Sequence, residues 1–97
     1  IAVKEREVIA VEAIEGTDKM IERAGELCRA GGWGLIKTGK PAQDMRFDVP
    51  TIGLQTIENL KKRGAACLAV EAGKVILLDK PQVIDAADRA GIAIVGV

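Results

Sequence analysis

Lys37-Thr38-Gly39-Lys40-Pro41-Ala42-Gln43-Asp44-Met45-Arg46-Phe47-Asp48-Val49-Pro50-Thr51-Ile52-Gly53 lies mid-chain and carries neither a helical nor a strand pattern throughout. Two prolines and two glycines interrupt any regular element that would run through it. Just upstream, 33–37 reads as a short strand. Just downstream, Leu54, Ile57 and Leu60 recur on one helical face, and the helix closes with Lys61-Lys62-Arg63 and Gly64. A strand, a long break and then a helix place this chain among folds in which helices pack on a sheet. At the centre of the break, Asp44, Arg46 and Asp48 alternate with Met45, Phe47 and Val49. An extended backbone there puts two carboxylates and a guanidinium on one edge and three apolar groups on the other. So long a connection is more often functional than idle in a small domain.

Moving outward, Ile1-Ala2-Val3-Lys4 and Val8-Ile9-Ala10-Val11 are apolar runs around Glu5-Arg6-Glu7, which reads as a hairpin with a charged tip. Thr17 fits an N-cap, and Asp18 suits the first turn of the helix it opens. Met20, Ile21, Ala24, Leu27 and Cys28 then keep helical spacing up to Gly31-Gly32. Beyond the central helix, 66–70 and 75–78 read as strands joined by Glu71-Ala72-Gly73-Lys74, a second hairpin. Asp79 or Lys80 caps a third helix with Pro81 in its first turn, where a missing N–H is harmless. Val83, Ile84 and Ala87 face inward, Gly91 ends that helix, and 92–95 reads as a last buried strand. The expected class is α/β with an α+β-like mixed sheet, built from two hairpins plus single strands and packed with three helices. Ala-Val-Glu-Ala occurs at both 10–13 and 69–72, each time at a strand end. Four small residues are too few to establish an internal duplication.

At 97 residues and 48% apolar, the chain supports one domain with a real core. Fourteen basic residues balance fourteen acidic ones, and Trp33 and Phe47 are the only aromatics. Neither a basic field nor stacking surfaces are present, so nucleic acid is set aside as a partner. Without histidine, His-based acid–base chemistry and His-ligated zinc are excluded. Cys28 and Cys67 sit in apolar patterns and read as buried small hydrophobes in a reducing compartment rather than a disulfide. No run is long enough for a membrane span. The chain opens on Ile1 without Met, so the expectation is a fragment of a longer protein.

Carboxylates, lysines and arginines remain to carry chemistry. Asp44 and Asp48 on one edge suit a hard divalent cation such as magnesium, which takes one or two carboxylates and fills its shell with water and phosphate oxygens. Arg46 between them suits a phosphate oxygen, and Lys37 and Lys40 add charge nearby. The helix starts after Gly53 and Gly16 offer free N–H groups to an anion. Glu12, at a strand end, is a second metal contact to keep in view. Acid–base–acid alternation is also a common form of solvated strand edge, and the residue pattern alone leaves both readings open.

Three stretches carry a resemblance along the chain: Val-Glu-Ala-Ile-Glu-Gly-Thr-Asp at 11–18, Lys-Pro-Ala-Gln-Asp-Met-Arg-Phe-Asp-Val-Pro-Thr-Ile-Gly at 40–53, and Glu-Ala-Gly-Lys-Val-Ile-Leu-Leu-Asp at 71–79. They resemble the C-terminal domain of the UDP-diacylglucosamine pyrophosphatases of lipid A synthesis, the type unrelated to the calcineurin-like phosphoesterases. The resemblance implies magnesium-dependent hydrolysis, with manganese as a substitute, of UDP-diacylglucosamine to UMP and lipid X. It implies a cytoplasmic protein in peripheral contact with the inner membrane, and it leaves a homodimer open. Asp48 becomes the first catalytic candidate with Asp44 beside it, and Asp44, Asp48 and Glu12 become the metal candidates. Arg46, Gln43, Lys37, Lys40, Thr17 and Thr51 become the substrate-binding candidates, while Asp18 falls in the family's other acidic motif. Family members have two domains, so 1–97 is expected to be the catalytic-type C-terminal one, without its N-terminal partner, and the resemblance leaves its activity alone open. The alternative reading is a non-catalytic sugar-nucleotide-binding or dimerisation module.

Overall fold

The computed structural model of the protein describes residues 1–39 and 50–97. Strand β1 (Ala2–Lys4) turns back on β2 (Glu7–Ala10) through Glu5 and Arg6. Both turn residues have positive φ, 52° and 69°, which matches the twist a two-residue hairpin loop needs. Helix α1 (Thr17–Leu27) leads to β3 (Trp33–Lys37), and β4 (Thr51–Ile52) precedes α2 (Leu54–Arg63). Strand β5 (Ala65–Val70), β6 (Ile76–Leu77), α3 (Lys80–Ala90) and β7 (Ala93–Gly96) complete the chain. The main sheet has the order β2-β1-β3-β5-β7.

Strand β1 is antiparallel to both β2 and β3, whereas β3, β5 and β7 are mutually parallel. Two reversals cancel, so β2 runs in the same direction as β3. The carboxyl ends of β2, β3, β5 and β7 therefore share one edge. Each crossover through a helix moves the same way across the sheet. Right-handed connections then place all three helices on one face, and α1 packs on α2 and α2 on α3. Met20, Ile21 and Ala24 of α1, Ile57 and Leu60 of α2, and Val83 and Ala87 of α3 are buried against Ala2, Leu35 and Leu68. Each large side chain so buried contributes roughly 2 kcal/mol. Trp33 is fully buried, and its indole N–H donates to the Arg63 carbonyl at 3.0 Å, satisfying one free carbonyl at the end of α2.

The α/β class with a mixed sheet and three helices is as expected, and the first hairpin is present. The second hairpin is not. Strand β5 pairs on both sides within the main sheet, with β3 and β7, so no edge is left for β6. The Glu71 carbonyl accepts both Lys74 N–H and Val75 N–H. That turn lifts the chain out of the main sheet, and β6 pairs in parallel with β4 instead. Strand β4 falls inside the stretch read as a break; Pro50 O accepts Ile76 N–H at its start. Thr17 is the first helical residue rather than the cap; Gly16 holds that position with φ 96° and no side-chain cap. Helix α1 stops at Leu27, earlier than Gly31-Gly32, because Cys28 leaves the helical conformation. Asp79 is the N-cap of α3, as read, but in the left-handed conformation and with no side-chain cap bond. Strand β7 is a sheet edge and mostly exposed, not a buried strand. Cys28 and Cys67 are free thiols but half-buried.

Candidate functional site

Open sheets of this kind gather ligands at the carboxyl ends of their strands. That edge here brings together the last residue of β3, the loop after β2, and the start of α1. Lys37 ends β3 with its side chain only 16% exposed. Its ammonium donates to Thr17 Oγ1 at 2.8 Å and lies 3.4 Å from Glu12 Oε2. The loop that carries Glu12 is tied down by Arg23, which donates to the Val11 carbonyl and pairs with Glu15 at 3.6 Å. The partly exposed Lys37–Glu12 pair is worth only about 0–1 kcal/mol to stability. Its effect is geometric: it holds a positive charge beside the uncapped N–H groups of α1, whose dipole adds the same sign. Such a place suits a phosphate oxygen.

On the other side of β3, Glu71 follows the end of β5. Its N–H donates to the Lys37 carbonyl at 3.0 Å, and its Oε1 accepts the Gly39 N–H at 2.9 Å. Asp18 is engaged by Asn59 Nδ2 at 2.9 Å, which pins the start of α1 to α2. Among the described residues, no three acidic, cysteine or histidine side chains gather to hold a metal ion, and Glu12 is already paired with Lys37. Asp44 and Asp48 have the oxygen chemistry that magnesium takes, but they lie outside the described residues.

The chain's residues 1–95 match the family described as the LpxI C-terminal domain. This chain belongs to that family. UDP-2,3-diacylglucosamine pyrophosphatase LpxI of Caulobacter vibrioides is 42% identical over 97 residues, covering 93% of this chain and 35% of that protein. The chain thus spans about a third of the length of the relative it matches. Of the candidate site residues read from the sequence, Glu12, Thr17 and Lys37 come together at the carboxyl edge. Thr51 is exposed in β4 and makes no described contact with them. Lys40, Gln43, Asp44, Arg46 and Asp48 lie outside the described residues. The sequence reading missed Glu71, Arg23 and Asn59. A signal existed for Glu71 alone, the second Ala-Val-Glu-Ala at a strand end. Arg23 and Asn59 act through tertiary contacts that no local pattern announces.

Proposed function

We propose that this domain supplies the carboxyl-edge half of the active site for hydrolysis of UDP-2,3-diacylglucosamine to UMP and lipid X in lipid A synthesis. Membership of the LpxI C-terminal domain family supports the substrate class. The observation that carries the local chemistry is the Lys37 ammonium, held at the sheet edge by Thr17 and Glu12. In this reading Lys37, with Arg46 and Lys40, takes charge that develops on the pyrophosphate oxygens. Gln43 and Thr51 contact the substrate. Asp48 is the catalytic carboxylate and Asp44 its neighbour, and the two hold magnesium or manganese with Glu12 as a further contact. Such an ion, when bound, neutralises phosphate charge. Water attacks one phosphorus, the P–O–P bridge breaks, and UMP and lipid X leave with the elements of water shared between them. In this reading the intact protein works in the cytoplasm, in peripheral contact with the inner membrane that carries its lipid substrate. No helix among the described residues is long and apolar enough to cross one.

Replacing Asp48 with Asn in the intact protein, with folding confirmed by circular dichroism, is expected to lower UMP release by about a hundredfold or more. Turnover close to that of the unmodified protein would remove Asp48 from this role. The face of the sheet that carries no helix among the described residues favours a second reading for residues 1–97 alone, a sugar-nucleotide-binding or dimerisation module. Binding of UDP-2,3-diacylglucosamine by the domain with no turnover in the intact protein would favour that reading.

A further inference from the structure

Glu71 grips the exit of β3 from the side opposite Glu12. Its N–H donates to the Lys37 carbonyl, which carries the β3–β5 ladder one step past Val70. Its Oε1 accepts the Gly39 N–H at 2.9 Å, and its Oε2 lies 3.7 Å from Lys74 Nζ, so both carboxylate oxygens are engaged. Glu12 meets the same short segment through the Lys37 ammonium. Both glutamates stand third in an Ala-Val-Glu-Ala stretch, at 10–13 and 69–72. Each follows a strand that runs in the direction of β3. The segment Lys37-Thr38-Gly39 is therefore bracketed by two equivalently placed carboxylates, one holding its side chain and one its backbone. Gly39 is also the point from which the chain proceeds to Asp44, Arg46 and Asp48. A displacement of about 1 Å in groups that must meet a reacting centre can cost on the order of a hundredfold in rate.

We propose that Glu71 is a positioning residue for the pyrophosphatase reaction: its carboxylate fixes the Gly39 amide, and with it the exit of β3, without touching substrate. This rests on the function proposed above. A hydrogen bond to a carboxylate is about twice as strong as one between neutral groups, so removing it releases a defined restraint. The accepted bond, not the charge, does the positioning, which makes Gln the informative replacement. Its amide oxygen still accepts from Gly39.

The test compares E71A and E71Q in the intact protein by two readouts: kcat and KM for UDP-2,3-diacylglucosamine, and hydrogen exchange at the Gly39 amide by NMR. E71A is expected to accelerate exchange at Gly39 while leaving the Leu68 amide in β5 protected. It should lower kcat about ten- to a hundredfold with KM little changed. E71Q is expected to restore both readouts most of the way. Unchanged Gly39 exchange in E71A would overturn the proposal. So would equal loss of protection at Leu68, which would mean general unfolding, or an E71Q protein as impaired as E71A, which would mean that charge matters. If the unmodified protein does not hydrolyse this substrate, the proposed function fails, and the positioning role in that reaction fails with it. The Gly39 exchange then still separates the two failures, because it reports the restraint without any turnover.

Discussion

A lysine whose ammonium already has two oxygen partners differs from one waving in solvent. An unrestrained lysine side chain forfeits up to about 2 kcal/mol of rotamer entropy when a ligand fixes it. Lys37, 16% exposed and anchored by Thr17 and Glu12, has lost much of that freedom on folding. The hydroxyl of Thr17 is the closer partner and does no capping work, since Gly16 occupies the cap position. Substituting Thr17→Val keeps the shape and removes the acceptor. The expected result is two- to about tenfold weaker binding of UMP to the intact protein by titration calorimetry. Melting temperature should move little, because Thr17 is only half-buried at a helix start. Thr17→Ser, which keeps the acceptor, should bind as the unmodified protein does. If Thr17→Val binds UMP with unchanged affinity, the anchoring of Lys37 has no bearing on phosphate recognition.

Helices α2 and α3 end alike, and their termini separate two effects that usually arrive together. Gly64 and Gly91 both sit in the left-handed region after the last helical residue, with φ 87° and 72°. A side chain there carries a conformational penalty of roughly 1–2 kcal/mol. Around Gly91 an added Cβ would meet nothing within 4 Å, whereas at Gly64 it would lie 3.2 Å from the Gly31 Cα. That neighbour is backbone in a second tight turn, whose Gly32 N–H donates to Gly64 O at 2.8 Å. Gly91→Ala is thus expected to cost about 1–2 kcal/mol in urea unfolding, and Gly64→Ala clearly more. Equal losses would show that the contact between the two turns relaxes freely. These stops were legible in the sequence because glycine after a periodic run has one dominant physical meaning. Strand pairing was less so. The runs around 71–74 carry correct strand residues, but which edge is free depends on β3 and β7, far away in sequence. The two-residue strand β4 is too short to leave a period at all. At the site, charge pointed to Lys37 and Glu12, and the helix start and the family's acidic motif to Thr17, as separate candidates. Their convergence is a product of β2 and β3 ending at one edge, which only the sheet order supplies.

A sheet that is mostly parallel is ordinarily covered on both faces, and here the three helices of the described residues lie on one. Val8, Val3, Gly34, Cys67 and Ala93 are register partners across the five strands of the other face, with Ile36, Ala69 and Val95 forming the next row. Val8 is 58% and Val95 49% exposed on the two outer strands, while Val3, Ile36, Cys67 and Ala69 between them are half-buried, so water meets the margins of this apolar face directly. Five strands at about 4.8 Å spacing and a few residues of rise give a face of roughly 300 Å². Stable interfaces bury about 800 Å² on each partner. Apolar burial at about 25 cal/mol per Å² on two such faces gives a gross gain of about 15 kcal/mol, close to what association costs in lost freedom. The magnitudes thus favour a weak, concentration-dependent dimer of the isolated domain over a permanent one. Sedimentation velocity of residues 1–97 should show the dimer fraction rising with concentration. Val8→Lys combined with Val95→Lys should abolish it, since charge on an exposed strand face opposes pairing. Both sites are exposed, so the double variant should lose no more than about 1 kcal/mol of stability. A domain that stays monomeric at every concentration would mean that this face is satisfied by water alone. A dimer that survives both lysines would place the contact elsewhere on the molecule.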